Sequence, residues 1–316
     1  MEIISGLHNL RPRHKGCVLT IGNFDGVHRG HQRLIDHLQS QSQKMQLPTT
    51  LMTFEPQPRE FFAGAVLPAR LTRFREKVHL LERTGLDRLL CVPFNEQTSQ
   101  IPAEWFAEEF LTELVGARYV VIGDDFRFGH ERKGDFQLLQ NTGARLGYEV
   151  ISVDTVLQGG DRVSSTLVRS TLSAGDFGKA TELLGHEYFI MGRVVYGRQL
   201  GRQLGVPTAN VKLQRYRAAL EGVYCVTVDG VAEDDSAVQG IANIGVRPTV
   251  DGKEPLLEVH VFDFSGDLYG QRIRVTFKHK LRDEQTFASV DLLKQQIDAD
   301  LLSARRWFAE SALVLD

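Results

Sequence analysis

The fold of the first half of the chain is decided by residues 18–38, Val-Leu-Thr-Ile-Gly-Asn-Phe-Asp-Gly-Val-His-Arg-Gly-His-Gln-Arg-Leu-Ile-Asp-His-Leu. The apolar residues 18–21 predict a short buried strand. Gly22 and Gly26 bracket a tight turn, in which glycine tolerates a positive φ. A helix follows, because the next apolar positions share one stripe, namely Leu34, Ile35 and Leu38. A strand, a glycine-containing loop and a helix N-terminus in this order are typical of phosphate binding.

Two histidines, His28 and His31, stand at the entrance of this helix. Their spacing places both imidazoles on one face, directed at whatever the loop holds. Two imidazole N–H groups beside a helix N-terminus can donate hydrogen bonds to a bound phosphate and neutralise charge that develops on it. The spacing alone also fits a pair of surface histidines or a zinc site, although Cys17 is the only cysteine nearby.

The first half continues as alternating strands and helices. Strands are predicted at residues 49–54, 89–92, 119–122 and 149–153, and helices at 72–84, from Pro102 onward and at 134–146. The helix at 72–84 is expected to bury a stripe formed by Phe74, Val78 and Leu81. The alternation predicts an α/β fold whose parallel sheet is covered on both faces. Ligands bind such sheets at the carboxyl ends of the strands, so the candidate site loops follow Ile21, Phe54 and Ile122.

The alternation of predicted strands and helices ends near Tyr188. Short strands separated by glycine turns are predicted at 189–196, 224–228, 238–244, 256–262 and 273–277, and a helix at about 289–312. This order predicts an antiparallel β-barrel with a C-terminal helix. We expect the boundary after Gly185, which gives domains of residues 1–185 and 186–316.

The bulk composition sets limits on function. The chain has 316 residues, 42% of them hydrophobic and 24% charged, as in globular proteins with two domains. A net charge of −3 offers no electrostatic footprint for nucleic acid. Three scattered cysteines indicate free thiols in a reducing compartment. Neither a signal peptide nor a membrane span is expected. We therefore expect a cytoplasmic protein with small-molecule partners, no nucleic acid or membrane partner, and no obligatory protein partner.

Two further groups of residues fit a phosphate and an acceptor in the first domain. Ser164-Ser165 begins a predicted helix and Arg169 follows one turn later, able to reach back to a phosphate at the helix N-terminus. A plain capped helix with a solvated arginine would look the same. The loops Glu55–Pro58 and Asp124–Phe128 are the candidate acceptor loops, where aromatic side chains could stack on a flat ring or belong to the core, namely Phe54, Phe126 and Phe128.

The second domain carries Leu204-Gly-Val-Pro-Thr-Ala-Asn210. Thr208 and Asn210 are two apart in an extended segment, so both side chains face the same way. Their oxygens suit a hard cation that bridges phosphates. Glycines at 197, 201 and 205 allow backbone N–H groups to approach phosphate oxygens. Neither a Walker loop nor a Gly-x-Gly-x-x-Gly fingerprint occurs in the sequence.

Glu258 lies in the predicted strand at 256–262. Leu257, Val259 and Val261 alternate towards a core, which puts Glu258 and His260 on the opposite face. A carboxylate on such a face is commonly just solvated, and the pattern alone does not distinguish that role from a catalytic one.

These motifs together resemble a known family. Gly-Asn-Phe-Asp-Gly-Val-His-x-Gly-His resembles the His-x-Gly-His motif of nucleotidylyltransferases in its flavin-adenylylating form, and Val163-Ser-Ser-x-x-x-Arg169 is similar to their second motif. Gly-Val-Pro-Thr-Ala-Asn resembles a motif of riboflavin kinases, as do residues 243–249 and 267–270. Residues 281–287 resemble the flavin-closing loop, with Asp283 and Thr286 where relatives usually have proline and lysine. Asp125 stands where relatives often have asparagine. The family so resembled is that of the prokaryotic bifunctional riboflavin kinase/FMN adenylyltransferases, or FAD synthetases.

The resemblance implies a Rossmann-like nucleotidylyltransferase domain that joins FMN and ATP into FAD and pyrophosphate. It implies a barrel domain that phosphorylates riboflavin with ATP, and Mg²⁺ for both reactions. It implies catalytic roles for His28, His31, Arg169 and Glu258, with Glu258 as general base. In the first domain it implies ATP binding by Gly22, Phe24, Asp25, His28, His31, Ser164, Ser165 and Arg169, and flavin binding by Phe54, Pro56, Pro58, Asp124, Asp125 and Phe128. In the second it implies ATP binding by Gly197, Gly201, Arg202, Gly205, Thr208 and Asn210, metal binding by Thr208 and Asn210, and flavin binding by Arg282 and Phe287.

Two alternatives of other classes remain open from the sequence. In one, only one domain is catalytically competent and the other merely binds flavin or docks. In the other, the chain is a flavin- or nucleotide-binding regulatory protein without turnover.

Overall fold

The computed structural model describes residues 1–62, 67–197, 201, 204–232, 234, 236–249 and 252–313, with 247–249 and 252–254 described by their backbone alone. The chain forms two compact units. The first comprises Met1–Leu67 and Lys77–Ser165, and the second comprises Pro68–Glu76 and Thr166–Asp316. Among the described residues, no helix is both long and apolar enough to cross a membrane.

The first unit is built on a six-stranded sheet in the order β1-β4-β3-β2-β5-β6, and every pair in it is parallel. Its strands are β1 Glu2–Ser5, β2 Cys17–Ile21, β3 Thr49–Phe54, β4 Arg88–Val92, β5 Ala117–Gly123 and β6 Glu149–Val153. The five predicted strands are confirmed, and β1 is an additional edge strand. Strand β2 is buried at every position, as expected for a central parallel strand.

The helices that accompany this sheet connect its strands. They are α1 Arg29–Met45, α2 Pro58–Phe62, α3 Phe74–Glu82, α4 Glu96–Ser99, α5 Ala103–Trp105 and α6 Phe136–Leu146. Helix α5 continues as a π-helical stretch, Phe106–Leu114, whose Phe106 and Phe110 join the core beside Ile122. A small hairpin, β7 Leu157–Gln158 and β8 Asp161–Arg162, follows β6.

Helix α3 departs from the prediction made for it. The predicted apolar stripe is only partly right, because Leu81 is fully buried while Phe74 and Val78 are half-buried. Two charged side chains, Glu76 and Lys77, occupy the buried face instead, exposed by 1% and 0%. Periodicity of apolar residues misses them, because a charged residue is buried only when a specific partner compensates it.

The strand order places the candidate site loops together. After β2 the chain moves outward on one side of the sheet through β3 and β4, whereas β5 and β6 lie on the other side of β2. The carboxyl ends of β2 and β5 therefore flank the point where the order reverses, which is the crevice where open α/β sheets bind ligands. The loops after Ile21 and Ile122 both leave the sheet at this crevice.

The second unit contains a closed antiparallel barrel in the order β10-β13-β12-β11-β14-β9. Its strands are β9 Phe189–Val195, β10 Ala209–Lys212, β11 Gly222–Asp229, β12 Val238–Thr249, β13 Gly252–Val261 and β14 Arg272–Arg282. Helices α7 Ser165–Ala174 and α8 Phe177–Leu184 precede it, and helix α9 Val290–Leu313 follows it. The predicted barrel and terminal helix are confirmed. Ala304 and Phe308 of α9 pack with Val223, Cys225 and Ile241 over the outer surface of the barrel.

A buried ion pair fastens residues 68–76 within the second unit. Both carboxylate oxygens of Glu76 accept from Nη2 of Arg215 at 2.8 Å, and both side chains are 1% exposed. The backbone N–H of Met191 donates to the same carboxylate at 2.9 Å. This segment thereby becomes part of the second unit although it lies within the first half of the sequence.

Candidate active sites

The loop after β2 is shaped by unusual backbone conformations. Phe24 and Val27 adopt positive φ values of 48° and 43°, and Gly26 adopts 85°. Gly22 is required for a different reason, because a Cβ there would lie 3.1 Å from the ring of Phe24, which is 1% exposed. Its N–H donates to Met52 O at 3.0 Å. The loop is therefore held by a buried ring on one side and by strand β3 on the other.

His28 and His31 are brought together at the start of α1. Nδ1 of His28 caps the helix by accepting from the backbone N–H of His31 at 3.4 Å. The two rings stack with centroids 3.6 Å apart and an interplanar angle of 14°. Since Nδ1 of His28 is an acceptor, its Nε2 is the nitrogen that carries the proton in the neutral ring. Within the described part of the chain, no three His, Cys, Asp or Glu residues are grouped to hold a metal ion.

His31 is neutral in this environment. Burial lowers its pKa well below the ordinary value, and the positive charges of His28 and Lys77 act in the same direction. Its Nδ1 is buried and has no hydrogen-bond partner among the described residues. The ring lies 4.9 Å from that of Phe24. A neutral imidazole with an unsatisfied nitrogen is available to exchange a hydrogen bond with a ligand of the loop.

The predicted serine motif reaches the same loop. Oγ of Ser165, the first residue of α7, donates to Asp25 O at 3.0 Å. A Cβ on Gly30 would lie 3.2 Å from the His28 ring and 3.7 Å from Val163 O, so Ser164 follows a residue that borders the histidine site. Arg169 lies one turn further along α7, in the second unit, and its Nε donates to Ala69 O.

An aromatic cluster lies near the end of β3, at one of the predicted acceptor loops. The ring of Phe94 lies 5.6 Å from those of Phe54, Phe61 and Phe62, each at a steep angle. Phe62 is 67% exposed and Phe61 41% exposed. The prediction named only Phe54 of these, together with Pro56, which is exposed, and Pro58, which starts α2. The sequence did contain a signal for Phe61 and Phe62, because they are adjacent and follow a loop that contains two prolines.

The loop after β5 is tied down by charge. Asp124 accepts from Thr155 Oγ1 at 2.6 Å and pairs with Arg162 at 3.3 Å. Arg162 also pairs with Asp125 at 2.9 Å, so one guanidinium of the β7–β8 hairpin holds both aspartates. Phe128, for which the sequence left both a stacking surface and the core open, is buried in the core with its ring 5.2 Å from that of Phe106. Arg162 was not foreseen from the sequence.

A rung of polar side chains crosses three strands of the barrel. Asn210 on β10 pairs in register with Glu258 on β13, which pairs in turn with Asn243 on β12. The neighbours Leu257 and Val259 are fully buried, so the three polar residues share the outer face of the barrel, as the alternation of β13 predicts. Asn243 was not among the predicted site residues, although its position in a family-like motif was the available signal.

Two of the predicted glycines, Gly197 and Gly201, lie close to β10 and the residues before it. Asn210 is 4% exposed, and its Oδ1 is buried without a hydrogen-bond partner among the described residues. A side chain on Gly197 would overlap that carboxamide, and one on Gly201 would overlap Val206 O and approach Thr208 Oγ1 to 3.2 Å. Gly205 has a φ of +81°. Arg202 lies outside the described residues. The chain therefore packs its backbone against Asn210 where a side chain would not fit.

Two further groups border Glu258. Nδ1 of His260 donates to Pro207 O at 2.8 Å, which ties β13 to the segment that leads into β10. Glu284 lies against Gly245, where a side chain would overlap its carboxylate. Burial raises the pKa of Glu284, and the charges of Glu221 and Glu258 raise it further. Glu284 therefore shares the electrostatic environment of Glu258.

Arg282, predicted to bind flavin together with Phe287, is hydrogen-bonded to α9. Nε and Nη2 of Arg282 donate to the buried carboxylate of Asp300 at 2.8–3.0 Å. Gln296 donates to the same carboxylate at 2.8 Å. The guanidinium carbon of Arg282 lies 5.9 Å from the ring centroid of Phe287. Arg282 is thus engaged with α9 while it supports Phe287 from one side.

Comparison with known proteins finds a matching family model for each half of the chain. Residues 10–167 match the family model described as FAD synthetase, and residues 184–308 match the model described as riboflavin kinase. A bifunctional riboflavin kinase/FMN adenylyltransferase from Pseudomonas fluorescens is 49% identical over 314 residues, which is 99% of each chain. The protein of that name from Escherichia coli K12 is 48% identical over 309 residues and 98% of each chain.

A solved structure described as a macrolide-efflux protein from Streptococcus pneumoniae has the same fold. It is 31% identical, with a TM-score of 0.80, over 97% of this chain and 100% of its own. The two family models match the chain in the same order as the two units, and the curated relatives match it over nearly its full length. This chain belongs to the family of bifunctional riboflavin kinase/FMN adenylyltransferases.

Proposed function

We propose that the chain converts riboflavin to FAD in two ATP-dependent steps, each performed by a different set of residues. The barrel phosphorylates riboflavin to FMN, and the first unit adenylylates FMN to FAD with release of pyrophosphate. The observation that supports this proposal is the presence of two separate polar clusters, the stacked histidines at the β2–α1 junction and the Asn210–Glu258–Asn243 rung of the barrel. We place the boundary between the two catalytic modules after Gly185, near the start of the segment that matches the riboflavin kinase model, residues 184–308.

In the adenylylation step, the phosphates of ATP lie at the N-terminus of α1. His28 and His31 donate ring N–H groups to the oxygens of the α-phosphate as charge develops on them. His31 is suited to this role because its lowered pKa keeps the imidazole neutral. The neutral ring then acts on the phosphate through a hydrogen bond. Backbone N–H groups of residues 22–25 and the Ser164–Ser165 segment complete the cradle. For Arg169 the family resemblance suggests binding of the β- and γ-phosphates.

The FMN that attacks is held by the aromatic cluster. Phe54, Phe61, Phe62 and Phe94 offer a partly exposed apolar wall on which an isoalloxazine ring can lie. Asp124 and Asp125, in the loop after β5, supply carboxylate oxygens that accept hydrogen bonds from the polar edge of the ring. Phe128 contributes by supporting this loop from the core.

In the kinase step, Glu258 accepts the proton of the ribityl hydroxyl as that oxygen attacks the γ-phosphorus. Backbone N–H groups at Gly197, Gly201 and Gly205 bind oxygens of the polyphosphate, and Arg202 carries a positive charge for the same anion. Phe287 covers the flavin, held by Arg282. Glu258 stands next to Asn210 in the same rung, so the hydroxyl and the phosphate meet at one place on the barrel.

Thr208 and Asn210 are the residues that would hold Mg²⁺. The fit rests on the buried Oδ1 of Asn210, which has no hydrogen-bond partner in the described part of the chain, and on a hydroxyl two positions earlier in an extended segment. Neutral oxygens of this kind suit a hard cation that keeps several waters and binds phosphate oxygens. When bound, Mg²⁺ supplies counter-charge to the polyphosphate. We place both reactions in the cytoplasm.

The proposal is tested with the whole protein and two substrate mixtures. Riboflavin, ATP and Mg²⁺ should yield FMN and then FAD, while FMN, ATP and Mg²⁺ should yield FAD and pyrophosphate, both followed by chromatography. Product in only one mixture would reduce the protein to a single activity. Binding of flavin and ATP without any turnover would favour a regulatory protein instead.

A further inference from the structure

The C-terminal helix α9 packs on the barrel with one face, where Asp300, Ala304 and Phe308 are buried. On the opposite side of the helix, positions separated alternately by three and four residues form a line. This outer stripe of α9 consists of Leu292, Gln295, Ala299, Leu302, Arg306, Ala309 and Leu313. Every member is exposed, and the three leucines are exposed by 48%, 70% and 78%.

The spacing of the outer stripe is that of a coiled-coil seam, in which a second helix packs along one side of the first. Its members run along about 32 Å of helix, and five of the seven are leucine or alanine. Exposed apolar residues that are scattered singly require no explanation, whereas a continuous apolar patch marks an interaction surface. The barrel does not account for the stripe, because α9 contacts the barrel with its other face.

The side-chain sizes in the stripe are complementary to those of a second copy in antiparallel orientation. If Ala299 lies opposite the partner's Leu302, the same register places Leu292 opposite the partner's Ala309. Each large side chain then meets a small one, which is the condition for two facing rows to interdigitate without voids. A second copy therefore supplies the surface that the stripe requires.

The polar members of the stripe and its flanks select the same orientation. In the antiparallel register Gln295 faces the partner's Arg306, whose guanidinium donates to the carboxamide oxygen. Asp298 and Arg305 flank the stripe on one side, and each lies beside the opposite charge of the other copy. Both already form exposed ion pairs within their own chain, which contribute little and exchange readily. A parallel pair would instead place the two Arg306 side chains face to face.

We propose that two copies of the chain associate through the outer stripes of their α9 helices, antiparallel, as a symmetric dimer. Both copies use the same surface, as a two-fold axis requires. One pair of helices buries an area at the low end of specific interfaces, below roughly 1,200 Å², so the dimer is reversible with a Kd in about the micromolar range. Helix α9 carries none of the residues assigned to the two reactions, so both activities are independent of this association.

Sedimentation velocity of the whole protein between about 1 and 100 μM tests the association. The wild-type chain should shift from one copy to two as its concentration rises. Leu302→Glu should raise the Kd at least tenfold, because a carboxylate would be buried against the partner's Ala299. Val290→Glu is the matched control, since Val290 begins α9, is 59% exposed and lies about 120° around the helix from Leu302.

Circular dichroism and riboflavin phosphorylation should be unchanged in both variants. A wild-type chain that stays monomeric throughout this range would overturn the inference and leave the stripe to a different protein. Dimerisation of Leu302→Glu with the wild-type Kd would overturn it as well.

Crosslinking with a short bismaleimide tests the orientation. All three native cysteines are buried, so an introduced exposed cysteine is the reactive thiol. In the antiparallel pair the two copies of residue 299 lie within one helical turn of each other, whereas the two copies of residue 309 are about 25 Å apart along the axis. Ala299→Cys should therefore be linked into dimers and Ala309→Cys should not. A link at residue 309, or at neither position, would contradict the antiparallel pair.

Discussion

Asn210 and Glu258 lie directly opposite each other on neighbouring antiparallel strands of the barrel. Side chains of such a pair have Cβ atoms roughly 4.5–5.5 Å apart and point to the same face. A carboxamide oxygen that lacks a partner among the described residues therefore stands beside a carboxylate. A cation bound by Asn210 would lie close enough to attract the carboxylate of Glu258. The metal ligand and the base of the proposed kinase site would therefore influence each other electrostatically.

Asn210→Asp should impair the kinase activity alone. The change places a second carboxylate beside Glu258 and next to a polyphosphate, so like-charge repulsion should weaken binding of ATP at this site. We expect at least a tenfold rise in the Kd for Mg-ATP, measured by calorimetric titration of the whole protein with the first site saturated by FAD. Thr208→Ala should weaken binding less, because it removes a neutral ligand. Unchanged affinity in both variants would remove the two residues from the metal site.

Glu258→Gln distinguishes proton transfer from orientation. Gln keeps the shape and one acceptor but does not take up a proton readily, so a general base predicts a fall in kinase kcat of roughly 10²–10⁴-fold. An orienting role predicts that Gln retains most activity while Ala does not, because phosphoryl transfer has a loose transition state in which the proton moves late. Rapid-quench assays with riboflavin measure the difference. Near-normal turnover in Glu258→Ala would contradict a catalytic role for Glu258, and Glu284 would then be the next candidate for the general base.

His31→Ala should affect adenylylation alone. Loss of a preorganised hydrogen-bond donor to the developing charge should lower FAD formation from FMN by roughly ten- to a thousandfold. Riboflavin phosphorylation should continue at the normal rate, since the histidine site belongs to the first unit and the polar rung to the second. Parallel assays on one protein sample provide the comparison. Loss of both activities in a folded variant would contradict the existence of two separate sites.

The stability of the protein should decrease in acid because of His31. Its pKa in the folded chain lies below the ordinary value, whereas in the unfolded chain it is about 6.5. Below that pH the unfolded chain binds one more proton, so the free energy of unfolding falls by about 1.4 kcal/mol per pH unit until the folded pKa is reached. Urea denaturation between pH 7 and pH 5 should show this slope, and His31→Gln should reduce it. The same substitution at the exposed His8 is the control.

The α/β order, the barrel and most strand positions follow from the amino-acid sequence alone. Strands β3 and β6 begin and end where predicted, because their apolar runs are bounded by turn residues on both sides. The sequence also predicts that the histidine and serine motifs lie near each other. In the structure Ser165 donates a hydrogen bond to Asp25 O, in the loop before the histidines. The roles of these residues stay predictions. They rest on motif order and local spacing, which are properties of short segments.

The buried charges and the grouping of segments were decided only by tertiary structure. Glu76 and Lys77 interrupt an apolar pattern, and nothing near them in sequence reveals Arg215 or Thr53 as their partners. The same holds for the rung of Asn210, Glu258 and Asn243, which depends on the register of three strands distant in the chain. Local sequence determines which segments become helices and strands, because propensity and periodicity act over a few residues. Which charges are buried depends on long-range partners, because only those partners offset the loss of hydration.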